Sequence, residues 1–252
     1  MSTSETAQLL QEAIELGRRR KYTQAVHKLL YLISADDSLD EAFLYLGRSF
    51  HALGEYSRAI DALRSFVEKR QDSAAGHFFL GRSYLAMNIY PHAAVHLRES
   101  LTIRPGFFQA AMLLGYTLLK LRRPDEASDL LGKLVELNPT DEGLYSGYLN
   151  SLLVSGIRHF KAGDTEYARE VFEFLKDKGK ENILINIYLG MMYRETGEYE
   201  AAVDAYEAAF SESPGDELIL YRTAILNIQA GNESRGRELL ALLARSFPHS
   251  PL

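Results

Sequence analysis

At 252 residues, 46% apolar and 25% charged, the chain is ordinary globular material, long enough for one large core or a continuous stacked one. It contains no cysteine, which excludes disulfides and thiolate metal sites, leaves folding to packing alone and gives no sign of an oxidising compartment. The net charge of −6 argues against a general affinity for nucleic-acid phosphates.

The N-terminal segment MSTSETAQ has no basic region followed by an apolar core, and no uninterrupted apolar stretch of about 18 residues follows it. No membrane insertion is expected, and a cytoplasmic protein is the default reading. The run Arg18-Arg19-Arg20-Lys21 closes a first predicted helix, where cations complement the helix dipole; a local basic patch for nucleic acid is the alternative at that place.

From the first helix onward the chain repeats itself. Aligned on small residues, the repeats begin at Thr6, Asp40, Ala74, Phe108, Leu149, Ile183 and Glu217, with one constant interval across the first four and the same interval across the last three. Each repeat reads as two helices. The first carries Ala13, Gly47, Gly81, Gly115, Gly156, Gly190 or Ala224 at one fixed place, and the second carries Ala25, Ala59, Ala93, Ala127, Ala168, Ala202 or Gly236 at another. Two antiparallel helices can approach closely only where neither carries bulk, so small residues at both places predict the contact within each pair. Tyr22, Tyr56, Tyr90 and Tyr199 stand early in the second helix, while Pro124 takes that place in the fourth repeat, where it suits the first helical turn. Pro105, Pro139, Pro214 and Pro248 follow the second helix because proline cannot continue one.

The period breaks once. Between the fourth and fifth repeats the segment Glu142 to Tyr148 is extra, and its seven residues would advance a helix by nearly two whole turns. The helical spacing of Leu144, Tyr148, Leu152 and Ser155 favours one long helix from about 141 to 161; a loop insertion built on Gly143 and Gly147 is the alternative. No linker or low-complexity segment interrupts the series, so a single domain over residues 1–252 is expected.

The stretch from Asn186 to Pro214 shows the pattern most fully: Leu189-Gly190, then Tyr193, Gly197, Tyr199, Ala202, Tyr206, Ala209 and Pro214. On these landmarks the chain resembles the tetratricopeptide repeat family, in about seven copies. The resemblance implies an all-α fold, a right-handed superhelical solenoid of stacked antiparallel helix pairs. It also implies a function class, a protein that holds a protein or peptide partner in a concave groove lined by first helices. Carried over residue by residue, the family's groove places give Tyr45, Arg48, Phe78, Phe79, Arg82, Met112, Tyr116, Tyr188, Met191, Tyr221 and Arg222 as partner-binding candidates. Tyr, Phe, Met and Arg are the side chains enriched at interface cores. Packing between neighbouring first helices is the competing reading for this set.

The clamp by which similar repeat domains read a C-terminal carboxylate needs Lys, Asn and Arg. The first three repeats offer Leu10, Ile14, Tyr45, Ala75 and Phe79 at those places, so a hydrophobic anchor is expected instead. No catalytic residue, cofactor or metal is expected: there is no phosphate loop, no Gly-x-Ser-x-Gly elbow and no His-Glu-x-x-His. His92 and His96 lie four apart on one helix but lack a local third ligand. A structural or self-assembling scaffold subunit is the alternative function. It draws on the last helix, 233–247, whose Leu239, Leu240, Leu242, Leu243 and Phe247 are expected to present one flank to a second copy, a further subunit or additional chain, because no covering helix follows before Leu252.

Overall fold

The computed structural model describes residues 3–180 and 182–249. Every regular element among them is helical. In chain order these are α1 (Thr3–Arg18), α2 (Tyr22–Ala35), α3 (Asp40–Ala52), α4 (Tyr56–Lys69), α5 (Ala74–Ala86), α6 (Tyr90–Ile103), α7 (Phe108–Lys120) and α8 (Pro124–Leu137). They continue with α9 (Glu142–Ala162), α10 (Thr165–Asp177), α11 (Ile183–Thr196), α12 (Tyr199–Glu212), α13 (Glu217–Gln229) and α14 (Glu233–Ser246). The chain divides into two compact units, one ending at Tyr148 and the other beginning at Leu149.

What turns each pair back on itself is a single left-handed residue after the first helix. Between the two helices of each repeat positive φ occurs at Arg20, Gly54, Asn88, Arg122, Gly163, Gly197 and Gly231, and Gly179 holds it after α10. Glycine reaches that region without steric cost, whereas Arg20 (φ 59°) and Arg122 (φ 58°) hold it against a Cβ clash. Starts are fixed by side chains: Ser73 accepts from the Gly76 amide, Asp141 from Leu144, Asn182 from Leu184 and Asp216 from Ile219.

The small residues sit where the pairs touch, and all fourteen are buried. A methyl added at Gly47 would lie 2.4 Å from Leu63 Cγ, and one at Gly190 would lie 2.5 Å from the Tyr206 ring. At Gly236 it would stand 2.8 Å from the Ala224 carbonyl oxygen. In the first unit each helix packs on the next, from α1 to α8. The first helices also touch one another, α1 on α3, α3 on α5 and α5 on α7, so they form an inner row backed by the second helices. Between the two layers runs one apolar core that includes Leu29, Leu46, Leu63, Leu80, Leu97 and Leu114.

The extra seven residues are helical. α9 is 21 residues long, and its first turns complete the first unit: Leu144 is fully buried with Ala111, Leu131 and Leu134, and Tyr148 lies against Gly132. In the second unit α11 packs on α12, α12 on α13 and α13 on α14. Phe172 of α10 is fully buried beside Gly156, its ring stacked on Tyr188 at 5.4 Å between centroids.

α14 is better satisfied than its sequence implies. Leu239 and Leu243 are buried against Leu220 and Ala224, because the small residue Gly236 lets the helix settle onto α13. The flank left open comprises Leu242, 37% exposed, with Ala241 and Ala244. The chain's last residues, through Leu252, lie outside the described ones.

Candidate functional site

Four of the residues expected to bind a partner come together in the first unit. Tyr45 and Arg48 on α3, with Phe79 and Arg82 on α5, line a cavity of about 340 Å³. Its other walls are Ala13, Ile14, Gly17 and Arg18 of α1, Tyr22 at the start of α2, and Ser49, His51 and Ala52 of α3. Helical spacing puts Tyr45, Arg48 and Ala52 on one stripe of α3, and Phe79 and Arg82 on the matching stripe of α5. The small residues of α1 leave the space open.

The Arg48 guanidinium lies over two rings at once, 5.1 Å from the centroid of Tyr45 and 4.7 Å from that of Phe79. These contacts hold the planar group while leaving its N–H edge free to donate. Neither Arg48 nor Arg82 makes an ion pair among the described residues. No carboxylate lines the cavity.

His51 is fixed by a short relay. Ser83 Oγ donates to the Phe79 carbonyl at 2.9 Å, so the same oxygen accepts from His51 Nδ1–H at 3.0 Å, leaving Nε2 as the bare nitrogen of the neutral ring. Burial, with the charge of Arg82 added, lowers the His51 pKa to about 4.

The remaining candidates fall elsewhere. Phe78 corrects the sequence reading: it is 8% exposed and packs on Phe107 at 4.7 Å and on Phe79 at 5.1 Å, which makes it part of the core. Met112 is half-buried in the cluster around Leu131 and Leu134. Tyr116 is 48% exposed on α7 under the Lys120 ammonium. In the second unit Tyr188 stands between Phe160 and Phe172, Met191 packs against the cluster of Ala202 and Tyr206, and Tyr221 packs beside Leu220. Arg222 donates to the Tyr206 hydroxyl at 3.2 Å. These four have packing partners within their own unit.

The cavity wall supplied by α1 and α2 was missed from sequence. The signal is present, since Ile14 stands at a groove place one repeat before Arg48, while Arg18 reads from sequence as a helix-end cation or part of a basic patch.

Of the α6 histidines, His96 pairs with His77 of α5. His96 Nδ1 meets His77 Nδ1 at 3.1 Å, and His77 Nε2 donates to the Gln71 carbonyl at 3.1 Å. With its proton on Nε2, neutral His77 accepts at Nδ1, so His96 donates. His96 is also stacked on Tyr84. Burial, with His77, His92 and Arg64 nearby, lowers its pKa to about 4. Among the described residues no group of three metal-ligating side chains occurs.

Because His51 and His96 each take up a proton near pH 4 when folded and near pH 6.5 when unfolded, the unfolded chain binds more protons between those values. Stability is full above pH 6.5 and declines as pH falls toward 4, by on the order of 2 kcal/mol for the two after allowing for solvent screening. Urea denaturation at pH 7.5 and pH 5 measures the loss, and His51→Gln with His96→Gln should flatten the difference.

Tetratricopeptide repeat models match residues 10–75, 45–107, 108–141, 153–217 and 193–252. The chain therefore belongs to the tetratricopeptide repeat family, in agreement with its fourteen helices in stacked pairs among the described residues. It is 25% identical over 122 residues to the TPR repeat-containing protein YpiA of Bacillus subtilis, a match spanning 48% of this chain and 27% of that protein. Among solved structures, a tetratricopeptide repeat protein from Parabacteroides merdae aligns with a TM-score of 0.57 at 13% identity, covering 96% of this chain and 93% of its own. A mutant of MamA aligns with a TM-score of 0.53 at 24% identity, covering 66% of this chain and 97% of its own. These likenesses concern the fold. No helix among the described residues is long and apolar enough to cross a membrane.

Proposed function

We propose that this protein is a non-catalytic adaptor that holds a segment of a partner protein against the first helices α1, α3 and α5. The family supports interaction between proteins in general, and stacked repeats expose one face of inner helices for that purpose. One observation carries the finer reading: Tyr45, Arg48, Phe79 and Arg82 converge on one cavity, with aromatic faces and free arginine donors side by side. Such a combination anchors a side chain by burial and orients it by hydrogen bonding.

Capture of partners by the wild-type chain and by a Tyr45→Ala, Phe79→Ala variant, compared from cells that make the protein, tests the reading. Proteins held by the first and lost by the second support it, whereas an identical set on both removes the cavity from the account of binding. The scaffold alternative has less behind it, since Leu239 and Leu243 are already covered within their own unit.

A further inference from the structure

The cavity has a charge as well as a shape. Arg18, Arg48 and Arg82 face it together with His51, in a chain whose net charge is −6. Gathering these cations costs self-repulsion, which close carboxylates offset elsewhere; Arg48 and Arg82 have no ion pair among the described residues, and Arg18 has only a long contact to Glu15. Arg169 is held by Glu173 and Glu198, and Arg235 by Glu207 and Glu238. At the cavity Glu15 spends its short bond, 2.8 Å, on Arg19 and stands 3.8 Å from Arg18.

We propose that this cavity receives an Asp or Glu side chain from an acidic segment of the partner, flanked by an apolar residue. The proposal rests on the groove reading above and names the chemistry of its ligand. The stacked guanidinium of Arg48 presents a planar fork already fixed by Tyr45 and Phe79, the geometry that suits a carboxylate held through two parallel N–H bonds. Arg82 follows Phe79 by one turn of α5 and brings the second charge to the same space. Beside these donors the walls are Ala13, Ile14, Tyr22 and Ala52, so the residue next to the acid meets apolar surface. A space of about 340 Å³ suits one or two side chains, and a polyanionic nucleic acid would meet the repulsion of an acidic molecule. A carboxylate lodged here also favours protonated His51, so binding and the titration of that ring are linked.

The test uses the full chain and a library of random peptides displayed on phage with no free C-terminus, so that only side-chain carboxylates are on offer. Peptides selected by the wild type are expected to be enriched in Asp or Glu beside an apolar residue. Synthesised, the best of them should bind about tenfold more weakly when its acid is changed to the amide, and about tenfold more weakly to an Arg48→Gln, Arg82→Gln variant. The two losses should not add, because they remove the same contact. The His51 ring, followed by NMR, should titrate at higher pH in the complex.

Circular dichroism of the arginine variant checks that it is folded. Selected peptides without acids, or acidic ones indifferent to the arginines, overturn the proposal. If those peptides are still lost from the Tyr45→Ala, Phe79→Ala variant, the groove reading stands without it. Capture of no peptide overturns both. A phosphoserine in place of the acid that binds about tenfold more tightly overturns it in favour of phosphopeptide recognition.

Discussion

Phe172→Ala should destabilise the protein by about 3 to 5 kcal/mol. The ring is fully buried, lies stacked on Tyr188 and fills the space beside Gly156, so truncation removes transfer energy and leaves a cavity that neighbours cannot close. Gly156 has no side chain to move inward. Leu175 and Ala168 of the same helix are themselves fully buried and fixed. Urea denaturation followed by circular dichroism measures the loss, and Phe172→Leu, which keeps most of the volume, should cost less than half as much. Equal stability of Phe172→Ala and wild type would mean that α9 and α10 are not paired through this ring.

The second large effect is on binding. Tyr45→Ala with Phe79→Ala should weaken a partner held in the cavity by about a hundredfold or more, since aromatic anchors at an interface commonly carry around 2 kcal/mol each. The two rings act together. Both support the Arg48 guanidinium, so removing them also frees the donor they orient, and the combined loss need not equal the sum of the separate ones. Both are half-buried at the edge of the core, and helix content should persist. Titration of a cavity-binding peptide against the single and double variants gives the coupling.

The repeat architecture was legible because close helix approach admits few residue types. Gly47, Gly190 and Gly236 mark places where even one methyl would collide, and that constraint is written in the sequence without reference to any distant residue. The turns were half legible. Gly197 announces its left-handed conformation, but Arg20 and Arg122 adopt the same one under the constraint of the helices they join, against their own preference.

The site was harder for a related reason. Phe78 and Phe79 are neighbours in sequence with the same side chain, and what separates core from cavity is the ring of Phe107, brought in by the turn before α7. Tyr188 likewise owes its packing to Phe160 and Phe172. A stripe of aromatic residues identifies a face, whereas burial depends on what the next repeat places against it. Leu239 and Leu243 show the converse, because their cover comes from the preceding helix through the gap at Gly236.

The claim that partners dock on the inner row of first helices is tested most directly by photo-crosslinking in the cells that make the protein. A benzophenone side chain is placed singly at Tyr45, Phe79 or Tyr116 on first helices, and at Tyr31 or Val95, which are 58% and 62% exposed on second helices. Adducts with a common partner at Tyr45 and Phe79, and none at Tyr31 and Val95, are the expected result. The same partner crosslinked from Tyr31 or Val95 and not from Tyr45 or Phe79 would contradict it.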